Sequence, residues 1–300
     1  MYDIIVVGGG PAGLTAALYA LRADKSVLVI EKDTFGGQIT YSPKIQNYPG
    51  FAEMSGNEFA DRLLDQVLAQ GAEIELARVT DIKDGEVKTV VTEDGEFEAK
   101  AVVIAVGVKH RMLGVEGEGE LVGHGISFCA VCDGAFYKGL DVAVIGGGNS
   151  ALQEALLLAD VAKSVTVVQN LDALTGEARL QSALLEKENV KVICGSVVKE
   201  FKKDGRKLTG LVITNAEGDI DLTVDGVFVA IGLIPENRPF AHLSDLNDYG
   251  YFDSDESCTT KTSGIFVAGD CRSKKIRQIT TAAADGAVAA LAACDYIDKR

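Results

Sequence analysis

Two glycine-rich hexapeptides set 138 residues apart restrict this chain more than any other feature. The first, Gly8-Gly9-Gly10-Pro11-Ala12-Gly13, follows the apolar run Tyr2–Val7; after it come an Ala- and Leu-rich stretch, Leu14–Arg22, and a second apolar run, Val27–Ile30. The other, Gly146-Gly147-Gly148-Asn149-Ser150-Ala151, repeats the arrangement, with Asp141–Ile145 before it and Ser150–Ala159 and Val165–Val168 after it. Strand, glycine turn, helix and strand at this spacing form a βαβ unit of the dinucleotide-binding kind. The first glycine permits the tight turn, the second lets the backbone approach a pyrophosphate, and the third lets the helix pack close on the strand. The helix N-terminus offers unpaired N–H groups and partial positive charge to the anion. One such loop is compatible with an ordinary turn. Two in register predict an α/β chain with two dinucleotide-binding folds.

The rest of the pattern fills in those folds. Val87–Thr92 and Glu96–Glu98 alternate as strands and lead to the buried run Ala101–Ala105, which ends at Gly107; this reads as a β-meander and return strand. A similar block, Gly210–Thr214 and Gly226–Ile231, ends at Gly232. Gly264–Asp270 is a strand with an aspartate at its C-terminal end, and Thr280–Ile297 is an Ala-rich helix suited to packing on a sheet. The second fold therefore reads as inserted into the first. The expected architecture is two Rossmann-like domains of three-layer ββα type, one from 1–112 plus 243–300 and the other from 113–242.

Just ahead of the second loop stands Cys129-Ala130-Val131-Cys132. A disulfide is reduced by an attacking thiolate, which leaves a mixed disulfide for a second thiol to resolve. Cysteines at this spacing can do both jobs, and such motifs commonly lower the thiol pKa. Asp133 follows directly and can shuttle the proton. Four-coordinate zinc is the competing reading, but no second C-x-x-C and no paired histidines accompany these cysteines, so no metal is expected. Cys194, Cys258, Cys271 and Cys294 are isolated; Cys194 reads as a small buried hydrophobe and Cys271 as a bystander. His110, His124 and His242 stand alone and read as ordinary histidines. A net charge of −15 argues against nucleic acid and anionic membrane surfaces. No apolar run reaches membrane-spanning length, and the N-terminus enters a strand without a basic leader. With one paired dithiol among six cysteines, a cytoplasmic setting is expected.

These residues resemble the low-molecular-weight thioredoxin reductases over nearly the whole chain. The resemblance is carried by the first glycine loop, Gly36-Gly37-Gln38, Asn47-Tyr48-Pro49-Gly50, the Cys129–Gly134 run, the stretch from Gly146 to Ala155, and Ala268-Gly269-Asp270 followed by Arg277-Gln278. It implies a noncovalent FAD, a homodimer, and thioredoxin as the disulfide partner. It places FAD against Gly8, Gly10, Pro11, Ala12 and Gly13, with Glu31 taking the adenosine ribose through both hydroxyls. Gly37, Gln38 and Asn47 fall at the isoalloxazine edge, Gly269 and Asp270 at the ribityl and phosphate side, and Gln278, next to Arg277, at the far end of the ring. Cys132 would face the flavin and Cys129 would attack the thioredoxin disulfide.

The resemblance breaks at the second nucleotide loop. NADPH-dependent members carry His-Arg-Arg after the second strand and another Arg beyond, cationic groups suited to a 2′-phosphate. Here the stretch is Gln169-Asn170-Leu171-Asp172-Ala173-Leu174-Thr175, with Arg179 further along. Gln169 holds the position that Glu31 holds in the first fold. The sequence thus speaks against NADPH and leaves NADH, a poor pyridine-nucleotide site, or none. In this it resembles the ferredoxin-dependent flavin thioredoxin reductases. Docking of ferredoxin would fall to local basic groups, Lys274, Lys275 and Arg277 or Lys199–Lys207. The expected function is FAD-dependent reduction of thioredoxin through Cys129 and Cys132, with reduced ferredoxin or NADH as donor. The alternatives are an NADH-dependent flavin module serving a peroxiredoxin and an NADPH-dependent thioredoxin reductase with an atypical site.

Overall fold

In the computed structural model, which describes Met1–Arg300, β1 (Tyr2–Val7) is buried through Ile4–Val7 because both faces of its sheet are covered. The Gly8 turn follows, and α1 (Pro11–Arg22) begins at the proline, three residues before the apolar stretch that marked it in sequence. Proline suits the first helical position, where its missing N–H is not needed. β2 (Val27–Glu31), α2 (Gly56–Ala69) and β3 (Glu73–Leu76) come next, then β4 (Val79–Lys83), β5 (Lys88–Thr92) and β6 (Glu96–Ile104), and finally β7 (Val108–His110). β6 is one unbroken strand where the sequence suggested two. Its start pairs antiparallel with β5, and its apolar end runs parallel to β1.

The second fold opens with α3 (Glu118–Leu121), β8 (Ile126–Ser127) and α4 (Ala130–Asp133). β9 (Asp141–Ile145), α5 (Asn149–Ala159), β10 (Ser164–Val168), α6 (Ala178–Leu185) and β11 (Val190–Ile193) repeat the βαβ pattern. A meander follows, β12 (Val197–Asp204), β13 (Lys207–Asn215) and β14 (Gly218–Leu222), and then β15 (Gly226–Val229) and β16 (Leu233–Pro235). The sheet order is β11-β10-β9-β15-β8, parallel throughout. Successive residues of β9 point to opposite faces. Val142 and Val144 meet Leu152 and Leu158 of α5, while Ala143 and Ile145 meet Leu211 and Ile213 of the meander.

The chain then returns through β17 (Ile265–Val267), which pairs parallel with the end of β6, and α7 (Ile279–Asp298). The first sheet runs β3-β2-β1-β6-β5-β4 with β17 beside β6. Ile4, Val6, Val27 and Val29 face α1 and α7, and Ile5, Val7, Leu28 and Ile30 face the other way toward Ile82 and Val90. α1 and α7 meet through small residues: a Cβ on Gly286 would lie 2.1 Å from the Ala12 carbonyl oxygen.

By their contacts the residues form two units, Met1–Lys109 with Ile234–Arg300, and His110–Leu233. The crossings fall at 109/110 and 233/234, three and nine residues before those expected. Residues 234–242 belong with the first unit because Phe240 packs beside Ile82 and Phe252, and buried Asn237 donates to the carbonyls of Gly250 and Cys271 at 2.9 and 2.7 Å. At the other crossing Arg111 N–H donates to the Gly232 carbonyl at 3.0 Å, which ties it to the second unit. No helix is long and apolar enough to cross a membrane.

Candidate active site

The first glycine loop is built by close approaches that only glycine permits. Gly8 has φ +110°, and a Cβ there would lie 2.4 Å from the Ala105 carbonyl oxygen; a Cβ on Gly13 would lie 1.8 Å from that of Gly8. Gly10, by contrast, faces open space, its nearest neighbour being the Gly36 carbonyl oxygen at 3.9 Å. Glu31 ends β2 and is buried. Its carboxylate accepts Gly9 N–H at 2.7 Å and the Lys32 and Asp33 N–H groups at 2.8 and 3.0 Å. A carboxylate offers about four acceptor positions, so acceptor capacity remains beside these three donors for the ribose contact expected of Glu31. Its main local role is to hold the loop to the end of β2.

Gly269 brings the other expected segment to this loop, since a Cβ there would lie 2.7 Å from Ala12 Cβ. Asp270 is next. Its Oδ1 is buried with no hydrogen-bond partner in the protein, and burial raises its carboxyl against the pull of Lys274 and Arg277. The segment is fixed by a group the sequence did not reveal. Asp285 of α7 accepts Arg272 Nε and Nη2 at 2.7 and 2.8 Å, Lys274 Nζ at 2.8 Å and Gly269 N–H at 3.0 Å. Burial works to raise the Asp285 carboxyl, but Arg272 and Lys274 outweigh it and hold the group below the usual carboxylate range. Arg277 lies over the Tyr251 ring, 4.2 Å from its centroid. Gln278 caps α7 in a reciprocal pair with Thr281, and its Oε1 accepts from Asn47 Nδ2 at 3.2 Å, so two expected ring contacts are brought together. Gln38, the third, donates through Nε2 to the Val108 carbonyl. A glycine cradle at a helix N-terminus with an unpartnered buried carboxylate beside it fits the pyrophosphate and polyol of FAD.

Cys129 and Cys132 are joined by a disulfide across α4, with their Cα atoms 5.3 Å apart. Cys129 caps the turn: its Sγ lies 3.1 Å from Cys132 N–H. Ser127, buried at the end of β8, ties the site together. Its Oγ accepts Cys129 N–H at 3.1 Å and donates to Asp133 Oδ2 at 2.6 Å. Asp133 Oδ1 is buried without a partner, and burial raises the carboxyl although the Ser127 hydroxyl opposes it. A carboxyl that resists ionisation next to a dithiol is suited to proton exchange. His110 stacks on Phe128, ring centroids 4.4 Å apart, and burial lowers its imidazole to about 4, which leaves it neutral at ordinary pH.

Of the other cysteines, Cys258 and Cys271 are buried, and burial raises their thiols to about 11 and 12. Cys194 is only half-buried, contrary to the reading as a core residue, because β11 lies at the sheet edge.

The second glycine loop copies the first in backbone. Gly146 N–H donates to the Val168 carbonyl at 2.8 Å, as Gly8 N–H does to Ile30 at 2.8 Å. The adenosine end differs. Gln169 is buried against Gly147; its Nε2 donates to the Ala173 carbonyl at 3.3 Å, and its Oε1 accepts Asn170 N–H at 3.1 Å. Thr175 and Gly176 N–H groups both donate to the Gly147 carbonyl, at 2.8 and 2.9 Å. Gln169–Thr175 thus closes on itself, its one charged residue is Asp172, and Arg179 is exposed on α6. Most of the expected basic groups are engaged as well. Lys199, Lys202 and Lys203 pair with Asp219, Asp221 and Glu120, and Lys274 is buried on Asp285.

Ser127, Arg272 and Asp285 escaped the sequence reading, and Lys274, read there as a docking group, is instead held by Asp285. Asp285 alone left a trace, as the sole acid in the buried Ala-rich part of α7.

Residues 2–286 match the pyridine nucleotide-disulphide oxidoreductase family. A thioredoxin reductase of Listeria monocytogenes is 42% identical over 302 aligned residues, covering 100% of this chain and 95% of that protein. The thioredoxin reductase of Bacillus subtilis is 40% identical with 100% and 96% covered. The crystal structure of thioredoxin reductase from Streptococcus pyogenes superimposes with a TM-score of 0.96 at 40% identity, covering 100% of this chain and 99% of that one. Likeness at this level along the entire length places the chain in the pyridine nucleotide-disulphide oxidoreductase family, among the low-molecular-weight thioredoxin reductases, and makes it a flavin-dependent disulfide oxidoreductase.

Proposed function

We propose that the chain reduces the disulfide of thioredoxin through Cys129 and Cys132 and draws its electrons from a donor other than NADPH, reduced ferredoxin first and NADH second. The observation that carries the dithiol reading is the Cys129–Cys132 disulfide on α4 with Asp133 held beside it by Ser127. FAD, when bound, supplies the two-electron chemistry that links a donor to the disulfide. The protein's residues do the rest. The first loop and the α1 N-terminus bind the pyrophosphate, Asp270 takes a polyol hydroxyl on its free oxygen, and the Asn47–Gln278 pair borders the ring. Cys129 attacks the partner disulfide, Cys132 resolves the mixed disulfide, and Asp133 moves the proton. By the same reading the enzyme works as a homodimer in the cytoplasm.

The donor reading rests on Gln169–Thr175. A 2′-phosphate carries close to two negative charges and meets no cation there. Each charge-assisted hydrogen bond it lacks is worth about 1.5–3 kcal/mol, or roughly an order of magnitude or more in affinity. The test is anaerobic bleaching of the FAD-loaded protein with NADPH, NADH and reduced ferredoxin in turn. Reduced ferredoxin should bleach it within turnover time and micromolar NADPH should not; rapid bleaching by NADPH would overturn the donor reading. Cys129→Ser should lose thioredoxin reduction while the flavin still accepts electrons. Full activity in that variant would sink the dithiol assignment.

A further inference from the structure

A second buried carboxyl lies against the turn that carries the disulfide. Glu154 projects from α5, which packs on α4, and its carboxyl feels the N–H of Ala130, which stands between Cys129 and Cys132. Glu154 Oε2 is shielded from solvent with no hydrogen-bond partner, as is Asp133 Oδ1. Asp133, on α4, acts on Glu154 and helps to raise its carboxyl. The sequence gives Glu154 no obvious role, since a helix of a nucleotide-binding fold needs no acid there.

The charges around the pair are few. Asp133 is the one charge acting on Glu154, and Ser127 is the one side chain that bonds to Asp133. Tyr137 is next, its phenol raised to about 12 by burial and then by Asp133 and Asp225, so it stays neutral. No basic side chain offsets either acid. Two carboxyls so placed cannot both ionise without a large desolvation and repulsion cost.

We propose that Glu154 is a second carboxyl of the dithiol site, holding a proton at neutral pH so that Asp133 remains able to exchange one with the sulfurs. This rests on the dithiol reading above. Reduction breaks the Cys129–Cys132 bond with two electrons, which the family's flavin chemistry supplies, and takes up two protons to leave two thiols. In the exchange that follows, the Cys129 thiolate bonds to one sulfur of the partner disulfide and the partner's S–S bond breaks. Cys132 then displaces the partner, the enzyme disulfide reforms, and the partner leaves with two thiols. The protons lost by the attacking cysteines equal those gained by the partner's sulfurs, and Asp133 carries them across. Glu154 touches no sulfur; it is a positioning residue that acts through Asp133 and the Ala130 N–H. In support, burial first, opposed by the Ala130 N–H and reinforced by Asp133, raises its carboxyl to about 8.

The experiment uses the FAD-loaded protein in two forms. In the oxidised protein Cys129 and Cys132 do not titrate, so infrared spectra across the pH range isolate the carboxyls. Wild type should show a protonated-carboxyl stretch that persists past neutrality and fades near 8, and Glu154→Gln should lack it. In the chemically reduced protein, the rate of reaction with a small aromatic disulfide is followed against pH. While Glu154 keeps its proton it exerts no charge on Asp133, so wild type and Glu154→Gln should agree below about 8; above it Glu154 ionises in wild type alone and opposes ionisation of Asp133, and the two rate profiles should part by up to about tenfold. Glu154→Asp, which restores an acid, should recover part of the difference. An unchanged infrared band in Glu154→Gln, or a rate profile that is superimposable or merely scaled, would overturn the proposal. Cys129→Ser and Cys132→Ser separate the two readings. If Cys129→Ser reacts like wild type, the dithiol reading fails; if Cys129→Ser is inert and Cys132→Ser releases one aryl thiol and stops at the mixed disulfide, while Glu154→Gln leaves the profile in place, only this inference fails.

Discussion

Asp285 shows how much one side chain can hold in position. It joins Arg272, Lys274 and the Gly269 N–H, and so fixes the segment that presents Asp270. Breaking a buried pair by removing one partner costs about 3–5 kcal/mol because the remaining charges stay buried. Asp285→Asn should therefore lower the thermal midpoint and weaken FAD retention together, read by melting and by flavin release. The pH dependence follows from the sign of the shift. The folded carboxyl lies below its unfolded value, so its contribution is complete above the ordinary carboxylate range and fades as pH falls through the folded value. Wild type should lose FAD on acidification, and the variant should lose that part of the dependence. Equal acid sensitivity in the two proteins would show that Asp285 is not the group responsible.

Among the elements, the second glycine loop and its Gln169–Thr175 cover lend themselves to reconstruction. Asn170→Arg with Leu171→Arg returns cations to the adenosine end, and the double variant should bind NADPH about tenfold or more tighter than wild type, measured by flavin bleaching against NADPH concentration. No gain would mean that the closed segment, with Gln169 buried on Gly147, blocks the nucleotide for steric reasons. This stretch also marks how far the sequence could be read. Both glycine loops, the Cys129–Cys132 pair and the missing arginines were visible because each depends on local spacing. α2 was overlooked although it was legible: Ser55 caps it through Glu58 N–H at 3.1 Å, and Phe59, Ala60, Leu63, Leu64 and Val67 recur at helical spacing. The capture of Asp285 by Arg272, and the approach of Glu154 to Ala130, join residues of separate elements. Periodicity carries no trace of such meetings.

At the level of the whole molecule, the chain is one fold interrupted by another, each with its own sheet and its own cores. The FAD-binding residues expected from the sequence all lie in the unit made of Met1–Lys109 and Ile234–Arg300. A ligand stabilises only what binds it. Calorimetry with and without FAD should therefore show the transition of that unit rising with cofactor, while the transition of His110–Leu233 stays in place; a common rise would indicate that the two melt as one body. The crossings themselves have a longer reach. β7 and β16 pair with each other, so the inserted stretch begins and ends on neighbouring rungs of one small ribbon. A segment with adjacent ends can be exchanged as a single continuous piece of gene without moving the frame that receives it. Such a gene can replace the insert, with the Cys129–Cys132 turn and the second glycine loop that it carries, and inherit the first glycine loop untouched.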